Sequence, residues 1–221
     1  MKFFLDSANP NEIRKALRWG VVDGVTTNPS LIAREGRPIG EQIAIICDII
    51  DAPVSAPVVQ TDVRPMIAEA RSLAKIHENV VVKLPLTPAG IEACSELTRE
   101  GIRINMTLCF SAAQGLVAAK AGACYVSPFV GRLDDAGAAG IELIRSLIAI
   151  YRNYGFETQV LAASLRGPAH VVDCALAGAH VGTMPLKLME SLFLHPLTDR
   201  GLEQFLSDYQ KSFAFEAASA R

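Results

Sequence analysis

Val80-Val81-Val82-Lys83-Leu84 is followed by a proline at 88, an apolar stripe at Ile91, Cys94, Leu97 and Thr98, then Gly101 and a second apolar run over residues 102–108. This stretch reads as one strand, one amphipathic helix and the strand after it. The runs are continuous rather than alternating and rich in β-branched residues, as expected of strands covered on both faces of a parallel sheet. The same unit recurs along the chain. Short apolar runs stand at 3–5, 21–26, 53–59, 80–84, 102–108, 124–129, 160–164 and 180–184. Between them lie helical stripes such as Ile67, Ala70, Leu73, Ala74 and Ile76, or Ile141, Ile144, Leu147, Ile148 and Tyr151. Pro65, Pro88 and Pro168 sit near expected helix starts, and Gly101, Gly122 and Gly155 follow expected ends. Eight strand–helix repeats without a long linker predict a single (β/α)8 barrel over residues 1–221. The competing fold, an open doubly wound sheet, calls for a glycine-rich turn after the first strand, and Asp6-Ser7-Ala8-Asn9-Pro10 stands there instead. An extra helix is expected over about 198–217. Its stripe of Leu202, Phe205, Leu206, Tyr209 and Phe213 suits either its own barrel or a neighbouring subunit.

Composition narrows the function classes. The chain has 221 residues, is 50% hydrophobic and 20% charged, and carries a net charge of -2. These values exclude a disordered chain. The absence of excess positive charge argues against a nucleic-acid partner. No apolar run approaches the roughly 18 residues of a membrane span, and the three apolar residues near the start fall short of a signal-peptide core. The expectation is a cytoplasmic protein. Five cysteines, widely spaced and without a CxxC pair, read as small buried hydrophobes in a reducing compartment. His77, His170, His180 and His195 lack metal-ligand spacing and read as helix-end or core residues. No G-x-G-x-x-G or Walker pattern occurs, which also counts against the doubly wound fold.

Function in such a barrel sits where strands end. Asp6, Thr26, Thr27, Asn28, Ser55, Lys83, Asn105, Thr107, Ser127, Ser164 and Arg166 lie at these points, with Arg132 just beyond the sixth strand. Singly, each has a plain structural explanation: Asp6 suits a helix N-cap and Ser164 a turn. Lys83 is the sharpest signal, because lysine is almost never buried without a partner or a task. Burial lowers an amine's pKa and leaves it neutral and nucleophilic, as Schiff-base chemistry requires. The alternative is a lysine whose stem follows the strand while its ammonium reaches water. Arg132, Ser164 and Arg166 suit a phosphate, with two guanidinium forks and a hydroxyl. Alternatively, the arginines belong to a solvated turn with Asp134 and Asp135.

Several motifs carry a resemblance across essentially the whole chain. They are Phe4-Leu5-Asp6-Ser7-Ala8, Gly24-Val25-Thr26-Thr27-Asn28-Pro29-Ser30, Val81-Val82-Lys83-Leu84-Pro85, Asn105-Met106-Thr107-Leu108-Cys109-Phe110-Ser111, Ser127-Pro128-Phe129-Val130-Gly131-Arg132-Leu133-Asp134-Asp135 and Ala162-Ala163-Ser164. With them the chain resembles the transaldolases, in the small branch that also holds the fructose-6-phosphate aldolases. The resemblance implies that Lys83 is the Schiff-base lysine, that Asp6 handles the proton of the donor hydroxyl, and that Thr107 helps hold the catalytic water. It implies that Thr26, Asn28, Ser55, Asn105 and Ser127 line the sugar chain and that Arg132, Ser164 and Arg166 bind phosphate. Phe129 is similar to the transaldolase side of the branch, whose aldolase side usually has tyrosine there. The implied activity is transfer of a dihydroxyacetone unit between sugar phosphates in the pentose phosphate pathway, with no cofactor. The implied assembly is a homo-oligomer, a pentamer or decamer.

One position departs from the pattern. The third run reads Val54-Ser55-Ala56-Pro57-Val58-Val59, and Pro57 stands where transaldolases have glutamate and the aldolases glutamine. Proline offers neither a titratable side chain nor a main-chain N–H. Three readings follow: another group, with Asp6 nearest, serves the water; the chain is an aldolase-like lyase with altered proton handling; or it binds sugar phosphates with impaired turnover.

Overall fold

The computed structural model describes residues 1–219, with side chains through Lys211. The chain runs β1 (Lys2–Asp6), α1 (Pro10–Leu17), β2 (Gly24–Thr26), α2 (Pro29–Arg34), α3 (Ile39–Cys47), β3 (Val54–Pro57), α4 (Val63–Ala74) and β4 (Val80–Pro85). It continues with α5 (Pro88–Arg99), β5 (Ile104–Cys109), α6 (Ala112–Lys120), β6 (Tyr125–Pro128), α7 (Val130–Asp135), α8 (Gly140–Tyr154), β7 (Gln159–Ala162), α9 (Pro168–Leu176), β8 (Val181–Met184), α10 (Leu186–Ser191) and α11 (Pro196–Ser219). The eight strands form a closed barrel in sequence order. Every neighbouring pair is parallel, and β1 pairs with β8 through Lys2–Val181 and Leu5–Met184. The (β/α)8 barrel expected from the periodicity is the fold.

Successive side chains of a strand point to opposite faces. Val80, Val82 and Leu84 of β4 therefore join the layer between barrel and helices, together with Leu5, Val25, Val54, Ala56, Ile104, Met106, Val126 and Val160. The alternate residues face inward. Phe4, Val81, Tyr125, Leu161 and Val181 form a separate apolar cluster that fills the barrel interior. Phe4 and Tyr125 meet edge to face with ring centroids 6.0 Å apart, the preferred geometry for two aromatic quadrupoles. One step further along every strand but β7 the inward residue is polar: Asp6, Thr26, Ser55, Lys83, Asn105, Ser127 and Thr183.

The helices form where caps and stripes agree. Asn9, Asn28 and Thr87 cap α1, α2 and α5 through their side chains, and each is followed by proline at the first helical position. α4 buries Met66, Ile67, Ala70 and Leu73, and α8 buries Leu143, Ile144, Leu147 and Tyr151 before ending on Gly155 at φ 64°. Several boundaries shift by one to three residues from expectation. α4 begins at Val63, two residues before Pro65. β2 begins only at Gly24; the Asp23 carboxylate accepts from Phe3 N at 2.8 Å in place of a β2 carbonyl, and Val21 is exposed. Phe213 of the expected terminal stripe lies outside the described side chains.

Each histidine accepts a main-chain N–H through Nδ1, from Asn79, Arg166, Val160 and Leu197 respectively. The five cysteines are free, and four are buried. Burial pushes the Cys47 thiol up to about 11 and Cys94 up to about 12, which makes both poor nucleophiles. No described helix is long and apolar enough to cross a membrane.

Gly24 marks the tightest packing of the floor. A Cβ there would lie 2.6 Å from the Phe4 ring and 2.8 Å from Pro53 O. Gly24→Ala should therefore destabilise the protein by about 1–3 kcal/mol, read as a lower urea midpoint with unchanged slope. An unchanged midpoint would show that the Phe4 ring gives way freely.

Candidate active site

The apolar floor ends one residue below a polar ring, and above the ring opens a cavity of about 630 Å³ at the carboxyl ends of the strands. Its lining includes Asp6, Thr26, Asn28, Pro57, Lys83, Thr107, Ser127, Phe129, Arg132, Ser164 and Arg166. Eleven of the fourteen positions singled out from the sequence thus share one chamber. The other three, Thr27, Ser55 and Asn105, lie beside it and are buried. Thr183, Arg34 and Gln60 also line the cavity. Thr183 was legible as the inward residue of the last strand, whereas nothing in the local pattern marks Arg34 or Gln60.

Lys83 enters from β4 above Val81 and donates from Nζ to Thr27 O at 2.8 Å. Burial holds its amine below the usual lysine range, with the Arg132 guanidinium adding to the effect and Asp6 opposing it. The Asp6 carboxyl is held above its usual range, again chiefly by burial, against the pull of Lys83 and a hydrogen bond from Thr26. Desolvation disfavours both charged forms, so it moves an amine down and a carboxyl up. The two groups converge toward the pH range in which each can take or give a proton.

Two short relays fix the ring. Thr26 Oγ1 donates to Asp6 Oδ1 at 2.8 Å and lies 2.6 Å from Thr183 Oγ1. A hydroxyl has one hydrogen, so with Thr26 donating to Asp6, Thr183 must donate to Thr26. On the other side Ser127 Oγ donates to Asn105 Oδ1 at 2.7 Å, and Asn105 Nδ2 donates to Ser55 Oγ at 3.2 Å. These contacts set the orientation of the Asn105 amide and leave the Ser55 hydrogen free to donate. Thr107 Oγ1 is buried and makes no hydrogen bond, which is costly unless water or a bound oxygen meets it.

The cations at the rim are less ordered in role. Arg132 stacks over Phe129 with its guanidinium carbon 4.8 Å from the ring centroid. Arg166 NH2 reaches Asp135 Oδ2 at 2.5 Å, so part of the alternative reading of a solvated turn is realised here. Ser164 adopts φ 61°, uncommon for a non-glycine residue, and its carbonyl accepts from Gly131 N at 3.0 Å. Asn28 lines the cavity, but its side chain also caps α2 by accepting from Leu31 N at 2.9 Å. Pro57 closes the wall beside Lys83, its register partner.

Residues 3–220 match the family model described as Transaldolase/Fructose-6-phosphate aldolase. The chain belongs to that family. It is similar to a probable transaldolase of Caldicellulosiruptor saccharolyticus, 56% identical over 212 residues that cover 96% of this chain and 98% of the relative. A probable transaldolase of Heliobacterium modesticaldum is 57% identical over 95% of this chain and 98% of its own. One from Clostridium tetani is 53% identical with the same coverage. As a member of the transaldolase/fructose-6-phosphate aldolase family, the chain is an enzyme of the aldolase and transaldolase class.

The electrostatics predict a signed result. Carbamoylation by cyanate, followed by peptide mass, should modify Lys83 with a pH midpoint below that of the surface lysines. Asp6→Asn should lower that midpoint further by removing the charge that favours ammonium, and Arg132→Gln should raise it. A Lys83 midpoint at the ordinary lysine value would contradict the desolvated amine.

Proposed function

We propose that the chain is a Schiff-base transaldolase that moves a dihydroxyacetone unit from a ketose phosphate, such as fructose 6-phosphate or sedoheptulose 7-phosphate, to an aldose phosphate. The observation that carries this reading is the desolvated Lys83 amine facing the same chamber as the Asp6 carboxyl. A chamber of about 630 Å³ is in the range that holds a small ligand.

The steps balance with these two groups. Lys83 Nζ attacks the ketose C2, forming an N–C bond. The former carbonyl oxygen collects one proton from Nζ and one from the protonated Asp6 carboxyl and leaves as water, giving an iminium with one remaining N–H and an Asp6 carboxylate. Asp6 takes the C4 hydroxyl proton, the C3–C4 bond breaks, and its electron pair flows into the iminium to form an enamine. The departing aldose makes room for an acceptor. The enamine carbon then attacks the acceptor aldehyde, the new alkoxide recovers the proton from Asp6, and water releases the product ketose. The raised Asp6 pKa suits it to this exchange, because an acid–base group works best with a pKa near the operating pH. Thr107 Oγ1, buried and without a partner, suits a contact to the water consumed and formed at C2. Arg132, Ser164 and Arg166 suit the substrate phosphate, with phosphate replacing Asp135 on Arg166.

The assembly read from the sequence is part of the proposal. Phe193, Leu194, Leu197, Leu202, Phe205 and Leu206 are exposed in and before α11, and an apolar patch of this kind supports a contact between subunits of a homo-oligomer. Free, buried cysteines support a cytoplasmic setting. A second reading, a sugar-phosphate-binding relative without turnover, is favoured by Pro57, which leaves β3 without a titratable group at the chamber.

A coupled assay of dihydroxyacetone transfer from fructose 6-phosphate to erythrose 4-phosphate separates these readings. Wild-type protein should turn over, and Lys83→Met should lose at least about a thousandfold of kcat. Asp6→Asn should lose about 100- to 10,000-fold. A raised melting temperature with fructose 6-phosphate but no transfer would establish the binding reading instead. A monomer by light scattering would remove the assembly from the proposal.

A further inference from the structure

β3 reaches the chamber with a proline, and the ladder beside it defines what that proline withholds. In the β2–β3 pair Val25 N donates to Pro53 O at 2.9 Å, and Thr27 N donates to Ser55 O at 3.2 Å. The register sets Val25 against Val54 and Thr26 against Ser55. In an evenly spaced parallel ladder, a residue that donates to one partner position accepts from the residue two further along. The N–H due at Thr27 O is therefore that of residue 57. Pro57 has none. The other edge of β3 is intact, because Val58 N donates to Lys83 O at 3.1 Å. The loss is confined to one carbonyl, Thr27 O, and that carbonyl accepts from Lys83 Nζ at 2.8 Å.

We infer that Pro57 is a positioning residue for Lys83: by withholding a main-chain N–H it reserves Thr27 O as the acceptor that anchors the amine. The anchor itself is geometric, while its catalytic consequence rests on the reading of Lys83 as the nucleophile. A neutral amine with one hydrogen on Thr27 O holds its lone pair away from that oxygen. After condensation the iminium keeps a single N–H, and Thr27 O accepts it. A neutral carbonyl accepts from amine, ammonium and iminium alike, so the anchor serves every stage without changing charge. Proline thus removes a side chain that manages water and supplies a fixed hold on the nitrogen. A carbonyl has two lone pairs, so an N–H at 57 weakens the hold by sharing and redirecting the acceptor rather than abolishing it.

The test compares wild type with Pro57→Ala, using Pro53→Ala as a control. Pro53 lies on the same side of β3 and also lacks an N–H, but at the end away from the chamber. The Lys83 amine is titrated by NMR of its Nζ or Cε in the full-length protein. The charged groups that act on it, Asp6 from β1 and Arg132 from α7, are unchanged in both variants. Pro57→Ala should lower the midpoint by roughly half a unit or more, because the ammonium loses part of its acceptor. Admission of water into space left by the ring acts in the opposite direction, so the sign separates positioning from a merely structural effect. Transfer by Pro57→Ala should show kcat reduced about threefold to tenfold with a smaller change in KM. Pro53→Ala should match wild type in both. An unchanged or raised midpoint in Pro57→Ala overturns the inference. Should that variant fail to fold, a crystal structure of the wild-type protein decides: Nζ within hydrogen-bond reach of Thr27 O is required, and a longer separation overturns it. A lowered midpoint in a protein without ketose adduct keeps the anchor and rejects the Schiff-base reading. An adduct with an unmoved midpoint does the reverse.

Discussion

A closed barrel sends every second side chain of each strand into one shared interior, and the rest of this structure depends on that parity. On β4 it puts Val81 into the apolar plug and Lys83 directly above it. The same alternation raises Asp6 above Phe4 on β1 and Ser127 above Tyr125 on β6. Polar groups in such a space must find partners or remain costly. The two relays, Thr183–Thr26–Asp6 and Ser127–Asn105–Ser55, meet that demand with side chains held on strands rather than loops. The ring stands on a packed apolar floor, with the Phe4 ring lying against Gly24.

Desolvation then sets the chemistry. It moves the Lys83 amine down and the Asp6 carboxyl up from their usual ranges. Each partly restores the other, and Arg132 adds to the depression of Lys83. A neutral amine and a protonated carboxyl are both favoured beneath one cavity because neither charged form is well solvated. The anchor at Thr27 O fits the same logic: a dipole steadies the nitrogen without neutralising the effect of burial. The Transaldolase/Fructose-6-phosphate aldolase family assignment and the site geometry thus point to one class of carbon–carbon chemistry.

Much of this was legible in the residues. Eight apolar runs with intervening stripes carry the barrel, because strand and helix periods differ and both were unbroken. Lys83 stood out because a charge inside Val80-Val81-Val82-Lys83-Leu84-Pro85 has few inert explanations. Other features depend on relations between distant segments. Thr27 matters through its carbonyl, which no side-chain pattern reveals, and only the β2–β3 register exposes the N–H missing at Pro57. For Arg166 the residues leave a phosphate site and a turn with Asp134 and Asp135 both open, and only the folded turn after β6 shows the ion pair with Asp135. The run over 21–26 has the composition of a strand throughout, yet β2 starts only at Gly24, and Phe3 N is met by the Asp23 carboxylate in place of a β2 carbonyl. Asn28 looked like a sugar contact alone and proves to cap a helix as well.

The central claim is that Lys83, and no other lysine, forms the covalent bond to substrate. Its most direct measurement is reductive trapping: wild-type protein is mixed with fructose 6-phosphate and borohydride, digested, and mapped by mass. The account predicts one stable adduct on the peptide containing Lys83 and none elsewhere. An unchanged intact mass, or an adduct confined to another lysine, would contradict it.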